Sequence, residues 1–219
     1  MTSGGVHFQP SLFDSGTIGF DRTFAAIQRI FLDSASWIDF QPAWVAGSDD
    51  LFTELVKGRR WSQRRRRMYD KKVTEPRLVS PWFLGSGEAL EPPILEDMRV
   101  VLSERYGVRF DSVGFNLYRD GRDSVAWHGD RIDKEISEPI VVLVSLGEPR
   151  RFLLRPAAGG RSRSFMLGRG DLFVTGGRTQ REWQHAVPKV PVAGPRISLA
   201  FRHGMSPAAY AHKETVPEN

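Results

Sequence analysis

His128 and Asp130 stand two residues apart in the run Trp127-His128-Gly129-Asp130, and a third candidate ligand, His185, follows in the segment WQHAVP. On a strand, residues i and i+2 point to one face, so an imidazole and a carboxylate at this spacing can converge on one ion. Two histidines and a carboxylate form the facial set of non-haem Fe(II) oxygenases, which leaves positions open for a cosubstrate and O2. Arg196 and Arg202 begin and end the run RISLAFR, an even number of residues apart and so on one face of a strand. Two arginines on an inward face call for anions. A dicarboxylate such as 2-oxoglutarate supplies both, in the bidentate geometry that a guanidinium fork matches. Asn116 and Tyr118, again i and i+2, can add hydrogen bonds from a neighbouring strand.

The composition narrows what else is feasible. The chain has 219 residues, 40% of them hydrophobic, enough for the core of one large domain. It contains no cysteine, which excludes disulfides, zinc–thiolate sites, iron–sulfur clusters and cysteine nucleophiles. The opening MTSGGVHFQP lacks the basic and apolar regions of a secretory signal. No apolar run approaches the roughly 18 residues of a membrane helix. A soluble, cytoplasmic protein with no membrane partner is expected. The net charge of +5 and the pI of about 9.8 lean toward a polyanionic partner. Nothing suggests an obligate dimer, and a monomer is expected.

The elements that must position these residues follow from periodicity. Residues 1–20 are polar and Gly-rich and read as an arm over the fold. A first helix is predicted from Asp21, a good N-cap, with Phe24, Ile27, Ile30 and Phe31 at helical spacing. Trp37 to Trp44 reads as a loop or short strand. Ser48-Asp49-Asp50 caps a second helix that carries Leu51, Leu55 and Val56. Ile94 to Tyr106 forms a third, closed by Gly107. Residues 75–83, EPRLVSPWF, hold two prolines and cannot be a central strand throughout. After Gly107, β-rich runs recur at 112–118, 125–129, 139–146, 151–155, 163–167, 171–175 and 196–202. Helices followed by about seven strands make an α+β fold with a β-barrel or sandwich as the C-terminal half. The chain reads as a single domain, with a helical extension and lid over 1–107, a core over 108–204 and a tail over 205–219.

Residues 59–72 hold Arg59, Arg60, Arg64, Arg65, Arg66, Arg67, Lys71 and Lys72, with Trp61 and Tyr69 between them. Such a run can be a solvated face. It can also be a loop whose cations neutralise phosphates and whose aromatics stack on bases, and the density of cations favours the second.

Taken together, Asn116-Leu117-Tyr118, His128-Gly129-Asp130, His185 and Arg196 to Arg202 resemble the AlkB family of Fe(II)/2-oxoglutarate-dependent dioxygenases. The resemblance covers about residues 75–204 and includes PIVVLVSLGEPRRFLL and GRGDLFVTGG; EPRLVSPWF is similar to a family substrate-lid segment. It implies a double-stranded β-helix (jelly-roll) core, with N-terminal helices and a basic lid. It also implies oxidative removal of alkyl groups from bases such as 1-methyladenine and 3-methylcytosine, in DNA or RNA, with release of succinate, CO2 and formaldehyde.

By the same resemblance His128, Asp130 and His185 bind Fe(II). Arg196 pairs with the distal carboxylate of 2-oxoglutarate, helped by Tyr118, and Arg202 sits by the proximal carboxylate with Asn116. Ser198 and Ala200 stand where the family often has Asn and Thr. Trp82 aligns with a family aromatic near the lid and is the candidate for stacking on the extruded base, with a core anchor as the other reading of that residue. Arg77, Arg64, Arg65, Arg66 and Tyr69 are the further candidates for substrate contact. The acidic residue that usually follows the ligand Asp by one or two places is missing, since Arg131 and Ile132 fill those places; either Asp133, one step later, serves instead or base selectivity differs. A 2-oxoglutarate oxygenase acting on a protein side chain or small molecule, and a non-catalytic nucleic-acid-binding module on this fold, are the competing readings.

Overall fold

A computed structural model describes residues 16–68, 71–130 and 132–205, with only the backbone for 66–68 and 71–73. Fifteen strands and three helices occur among them. The N-terminal part holds β1 (Gly19–Phe20), β2 (Gln28–Phe31), β3 (Ser36–Gln41), β4 (Val45–Ala46), α1 (Ser48–Gly58), β5 (Arg65–Met68), β6 (Lys71–Thr74), β7 (Leu78–Phe83) and α2 (Ile94–Tyr106). Then come β8 (Ser112–Tyr118), β9 (Val125–His128), β10 (Val141–Gly147), β11 (Arg150–Pro156), β12 (Arg163–Leu167), β13 (Asp171–Gly177), α3 (Thr179–Glu182), β14 (Trp183–Val187) and β15 (Arg196–Arg202).

A seven-stranded antiparallel sheet in the order β2-β3-β13-β10-β15-β8-β7 faces a four-stranded sheet in the order β12-β11-β14-β9. Side-chain alternation sorts each strand of the larger sheet between two cores. On β15, Ile197, Leu199 and Phe201 join the core under α1 and α2, with Val113, Phe115 and Leu117 of β8 and Val142, Val144 and Leu146 of β10. Leu51, Phe52 and Leu55 of α1 and Leu95, Met98 and Leu102 of α2 close that layer. The opposite face, with Tyr118, Leu143, Phe173 and Ala200, packs against Phe152, Leu154, Trp183 and Val187 of the smaller sheet. Arg196, Ser198 and Arg202 share that inward parity, so the apolar code of β15 itself delivers polar side chains between the sheets.

The expected helical N-terminal extension is corrected. Its two helices are accompanied by seven strands, and β2, β3 and β7 belong to the same sheet as the predicted core. The helix expected from Asp21 does not form. Phe24 adopts a left-handed backbone (φ 55°) that no α-helix continues through, and Gln28–Phe31 pairs with β3 instead.

Asp21 caps a turn rather than a helix. Its carboxylate accepts hydrogen bonds from Thr23 N (2.8 Å) and Oγ1 (2.6 Å), Ala25 N (3.1 Å) and Gln41 Nε2 (2.8 Å). These bonds, the Thr23 hydroxyl first, hold its pKa down to about 2, against a slight opposing effect of burial. A depressed carboxylate stabilises the fold above its unfolded pKa and loses that contribution as pH falls through the folded value. Asp21→Asn is therefore expected to lower the thermal midpoint above about pH 5, with the gap to wild type closing as pH falls toward 2. Thermal melts of the two proteins across that range check this.

The other helices match expectation, except that α1 begins after Gly47 in a left-handed conformation and has no side-chain cap. Gly107 ends α2 at φ 65°, the conformation that favours glycine. EPRLVSPWF supplies β7 at the edge of the large sheet, where Pro81 costs no central ladder bond.

Candidate metal centre and cosubstrate cradle

The centre is built on one strand pair. His128 ends β9, His185 lies in the middle of β14, and the two are direct partners in the antiparallel register. Their ring centroids are 4.2 Å apart, and Phe152 of β11 backs His185 at 5.2 Å. Asp130 lies just past the end of β9, not on the strand as the i, i+2 argument assumed. Its backbone N–H donates to Gln180 Oε1 (3.2 Å) on α3, and Gln180 Nε2 donates to Thr175 Oγ1 (2.8 Å). Each of the three residues offers a ligand atom, and these atoms lie within 4.8 Å of one another.

Protonation suits a metal. His128 Nδ1 lies 2.8 Å from the Ala126 carbonyl, which can only accept, so Nδ1 carries the proton and Nε2 keeps its lone pair for an ion. Burial lowers the pKa of His128 and drives that of His185 down to about 3, against the opposing pull of the Asp130 charge. Burial would raise Asp130, but Arg202 and the two imidazoles outweigh it and hold the carboxyl at about 2. Two neutral imidazoles and one carboxylate are the donor set that iron requires, in the forms it requires.

Arg202 Nη2 donates to Asp130 Oδ1 (2.8 Å), with both side chains largely buried. The anion expected for Arg202 is therefore supplied in part by the ligand carboxylate. Gly114, on the adjacent strand, makes room for this guanidinium, since a Cβ there would come 2.7 Å from Arg202 Nη1. Arg196 differs. It is 1% exposed, it donates to Leu167 O (3.2 Å) and Ser145 Oγ (2.6 Å), and its guanidinium lies over the Tyr118 ring at 5.4 Å. Among the described residues it pairs with no carboxylate. Burial lowers its pKa, the cost of a desolvated cation.

An inner cavity runs from His128 and His185 past Asn116, Tyr118 and Ser198 to Arg196. It has a deep cation at one end and the metal ligands at the other, the layout a chelating dicarboxylate needs.

A second, larger cavity is lined by His128 and Asp130 together with Arg64, Glu75, Arg77, Val79 and Pro81. Arg77 borders both cavities, and its Nε donates to Asn116 Oδ1 (3.1 Å).

Two substrate expectations are corrected. Trp82 is 5% exposed, belongs to the core under the helices and donates to the Glu88 carbonyl (2.9 Å), because alternation on β7 turns it away from Val79 and Pro81. Asp133 is exposed and caps the Glu135 N–H (3.1 Å) in a local turn outside the cavity, while Ile132 is buried in the intersheet core. Arg65 and Arg66 lie on β5, which pairs with β6 as a hairpin; the side chain of Arg66, and Tyr69 as a whole, fall outside the described residues.

The sequence reading missed Glu75 and the strand β14 itself. WQHAV alternates only weakly, so only its pairing with β9 and β11 marks it as a strand.

The model of the 2OG-Fe(II) oxygenase superfamily matches residues 51–202. The human alpha-ketoglutarate-dependent dioxygenase alkB homolog 3 is 32% identical over 178 residues, 72% of this chain and 62% of that protein. The DNA oxidative demethylase ALKBH2 of Arabidopsis thaliana is 28% identical over 206 residues, 76% of this chain and 63% of its own length. The chain thus spans about three fifths of these curated relatives. Among solved structures, that of OsALKBH1 superposes with a TM-score of 0.54 at 17% identity, over 80% of this chain and 99% of the other. A prolyl hydroxylase from Trichoplax adhaerens gives 0.55 at 12%, over 75% and 82%. The likeness of fold extends the jelly-roll expectation to the two facing sheets. With the family match over the whole site and the facial set closed in space, the chain belongs to the 2OG-Fe(II) oxygenase superfamily and is an AlkB homologue.

Proposed function

We propose that this enzyme demethylates N-alkylated bases of the 1-methyladenine and 3-methylcytosine type in DNA or RNA. The observation that carries the reading is the outer cavity lined by His128 and Asp130, with Arg64 and Arg77 on its wall. The neighbouring hairpin, with Arg65 to Arg67 on β5 and Lys71 and Lys72 on β6, presents a density of cations suited to a phosphate backbone. The relatives named as alkB homolog 3 and DNA oxidative demethylase support the same class.

His128 Nε2, a carboxylate oxygen of Asp130 and a ring nitrogen of His185 would hold the iron. Bound there, iron supplies the redox chemistry that couples O2 reduction to 2-oxoglutarate decarboxylation. Arg196 anchors the far carboxylate of 2-oxoglutarate from its dry end of the inner cavity, beside Tyr118 and Ser198. Arg202 keeps Asp130 charged and aimed, and Asn116, held by Arg77, lines the passage between the two cavities. The outer cavity admits a base only after it has left the stack, so unpaired or damaged bases enter at lower cost. The sum of the reaction turns the N-methyl base, O2 and 2-oxoglutarate into the N–H base, formaldehyde, succinate and CO2. A hemiaminal on the base breaks down to release the formaldehyde.

The test is incubation with Fe(II), 2-oxoglutarate, ascorbate and air of a single-stranded oligonucleotide that carries one 1-methyladenine or 3-methylcytosine. Loss of one methylene in mass is expected, and none with His128→Ala. Succinate formed without demethylation would move the substrate to a protein or small molecule, and tight binding without either product would leave a binding module. Replacing Arg64 to Arg67 by serine is expected to lower affinity for any oligonucleotide and flatten its salt dependence. The slope of log K against log salt should fall by roughly 0.7 per lost phosphate contact on a single strand.

A further inference from the structure

We propose that Glu75 reads the alkylated base and selects a cationic, amine-bearing edge over a neutral, carbonyl-bearing one. The inference rests on the base-demethylation reading above and names the group that sets its specificity.

The position after Asp130 supplies no such group, since Ile132 is in the core and Asp133 turns outward. Among the described residues the carboxylates on the outer cavity are Asp130, engaged by Arg202, and Glu75. Glu75 stands at the entry to β7 on a braced backbone. Its N–H donates to Arg64 O (2.9 Å), and its carbonyl accepts from Gln63 Nε2 (3.0 Å) and Arg77 N (2.9 Å). Its Oε2 pairs with Arg77 Nη2 at 3.1 Å, and the two side chains are only 11% and 14% exposed.

A carboxylate in so dry a place, ion-paired with a guanidinium that is itself tied to Asn116, is a positioned acceptor. 1-Methyladenine and 3-methylcytosine are cations near neutral pH and carry an exocyclic N–H that such an acceptor can take. 3-Methylthymine keeps the ring and methyl position of 3-methylcytosine but is neutral and offers a carbonyl oxygen where the amine stood. That oxygen would face the carboxylate without a proton between them.

Two otherwise identical single-stranded oligonucleotides, one with 3-methylcytosine and one with 3-methylthymine, test this. Binding to the metal-free protein and demethylation by the iron-loaded enzyme are both read as the ratio between the two bases. Wild type is expected to favour 3-methylcytosine, Glu75→Gln to reduce the ratio about 10-fold or more, and Glu75→Asp to keep much of it. An unchanged ratio in Glu75→Gln overturns the proposal while leaving the demethylase reading intact. An equal loss for both bases also overturns it and makes Glu75 a brace for Arg77 and Asn116. If wild type neither binds nor demethylates either base preferentially over the unmodified strand, the base reading falls and this proposal with it.

Discussion

Replacing His185 by alanine is expected to abolish iron-dependent turnover of 2-oxoglutarate and to weaken iron binding by more than about 100-fold. Loss of a hydrogen-bonding partner of a ligand typically costs about 10- to 100-fold, and loss of a ligand should exceed that. His185 sits at the centre of β14, against His128 in register and Phe152 in stacking contact. Its neutral ring at pH 7 follows from burial that drives its pKa to about 3, so an incoming ion meets no proton to displace. Succinate formation and a titration with Fe(II) read the effect, with circular dichroism to verify the fold. Turnover close to wild type would remove the metal-centre assignment. Chelation of the wild-type enzyme should mimic the variant and, unlike it, reverse on adding Fe(II).

The second large effect is expected at Arg196. Arg196→Met should raise KM and Kd for 2-oxoglutarate at least about 30-fold, with kcat at saturation changed far less. Removing one member of a buried charge pair costs about 2–5 kcal/mol, and each 1.4 kcal/mol is a decade. The cosubstrate-free protein should move less than about 4 °C in thermal midpoint. The variant gives up two hydrogen bonds, to Ser145 and Leu167, but also a desolvated cation that pairs with no described carboxylate. Added 2-oxoglutarate should stabilise wild type and not the variant. A steep fall in stability with unchanged KM would make Arg196 a structural residue.

The chemistry of the site was legible because it lies in residue types that strand alternation sorts. In RISLAFR, Ile197, Leu199 and Phe201 go to one core, and the arginines and Ser198 go to the other side. Three strands, 112–118, 163–167 and 196–202, were read with the bounds they have. The reading failed where a local pattern competed with pairing at a distance. Phe24 to Phe31 has helical spacing, yet Ile30 pairs with Ile38 on β3, and contacts with a partner strand outweigh a weak local preference. Trp82 failed for a similar reason. Its type suits base stacking, but its parity on β7 decides which face it joins, and that parity depends on pairing with β8.

By itself, then, the sequence determined the donor set of His128, Asp130 and His185, the two arginines, the absence of thiol chemistry and the family. These are properties of side-chain chemistry and short-range order. Only the tertiary structure decided that His128 and His185 are register partners, that Arg202 answers to Asp130 while Arg196, deep between the sheets, pairs with no carboxylate among the described residues, and that Glu75, not Asp133, lines the outer cavity. Those facts depend on which strands lie side by side. Strand order in an antiparallel sheet is set by burying both faces of the sheet at once, a condition on the whole chain that no local window contains.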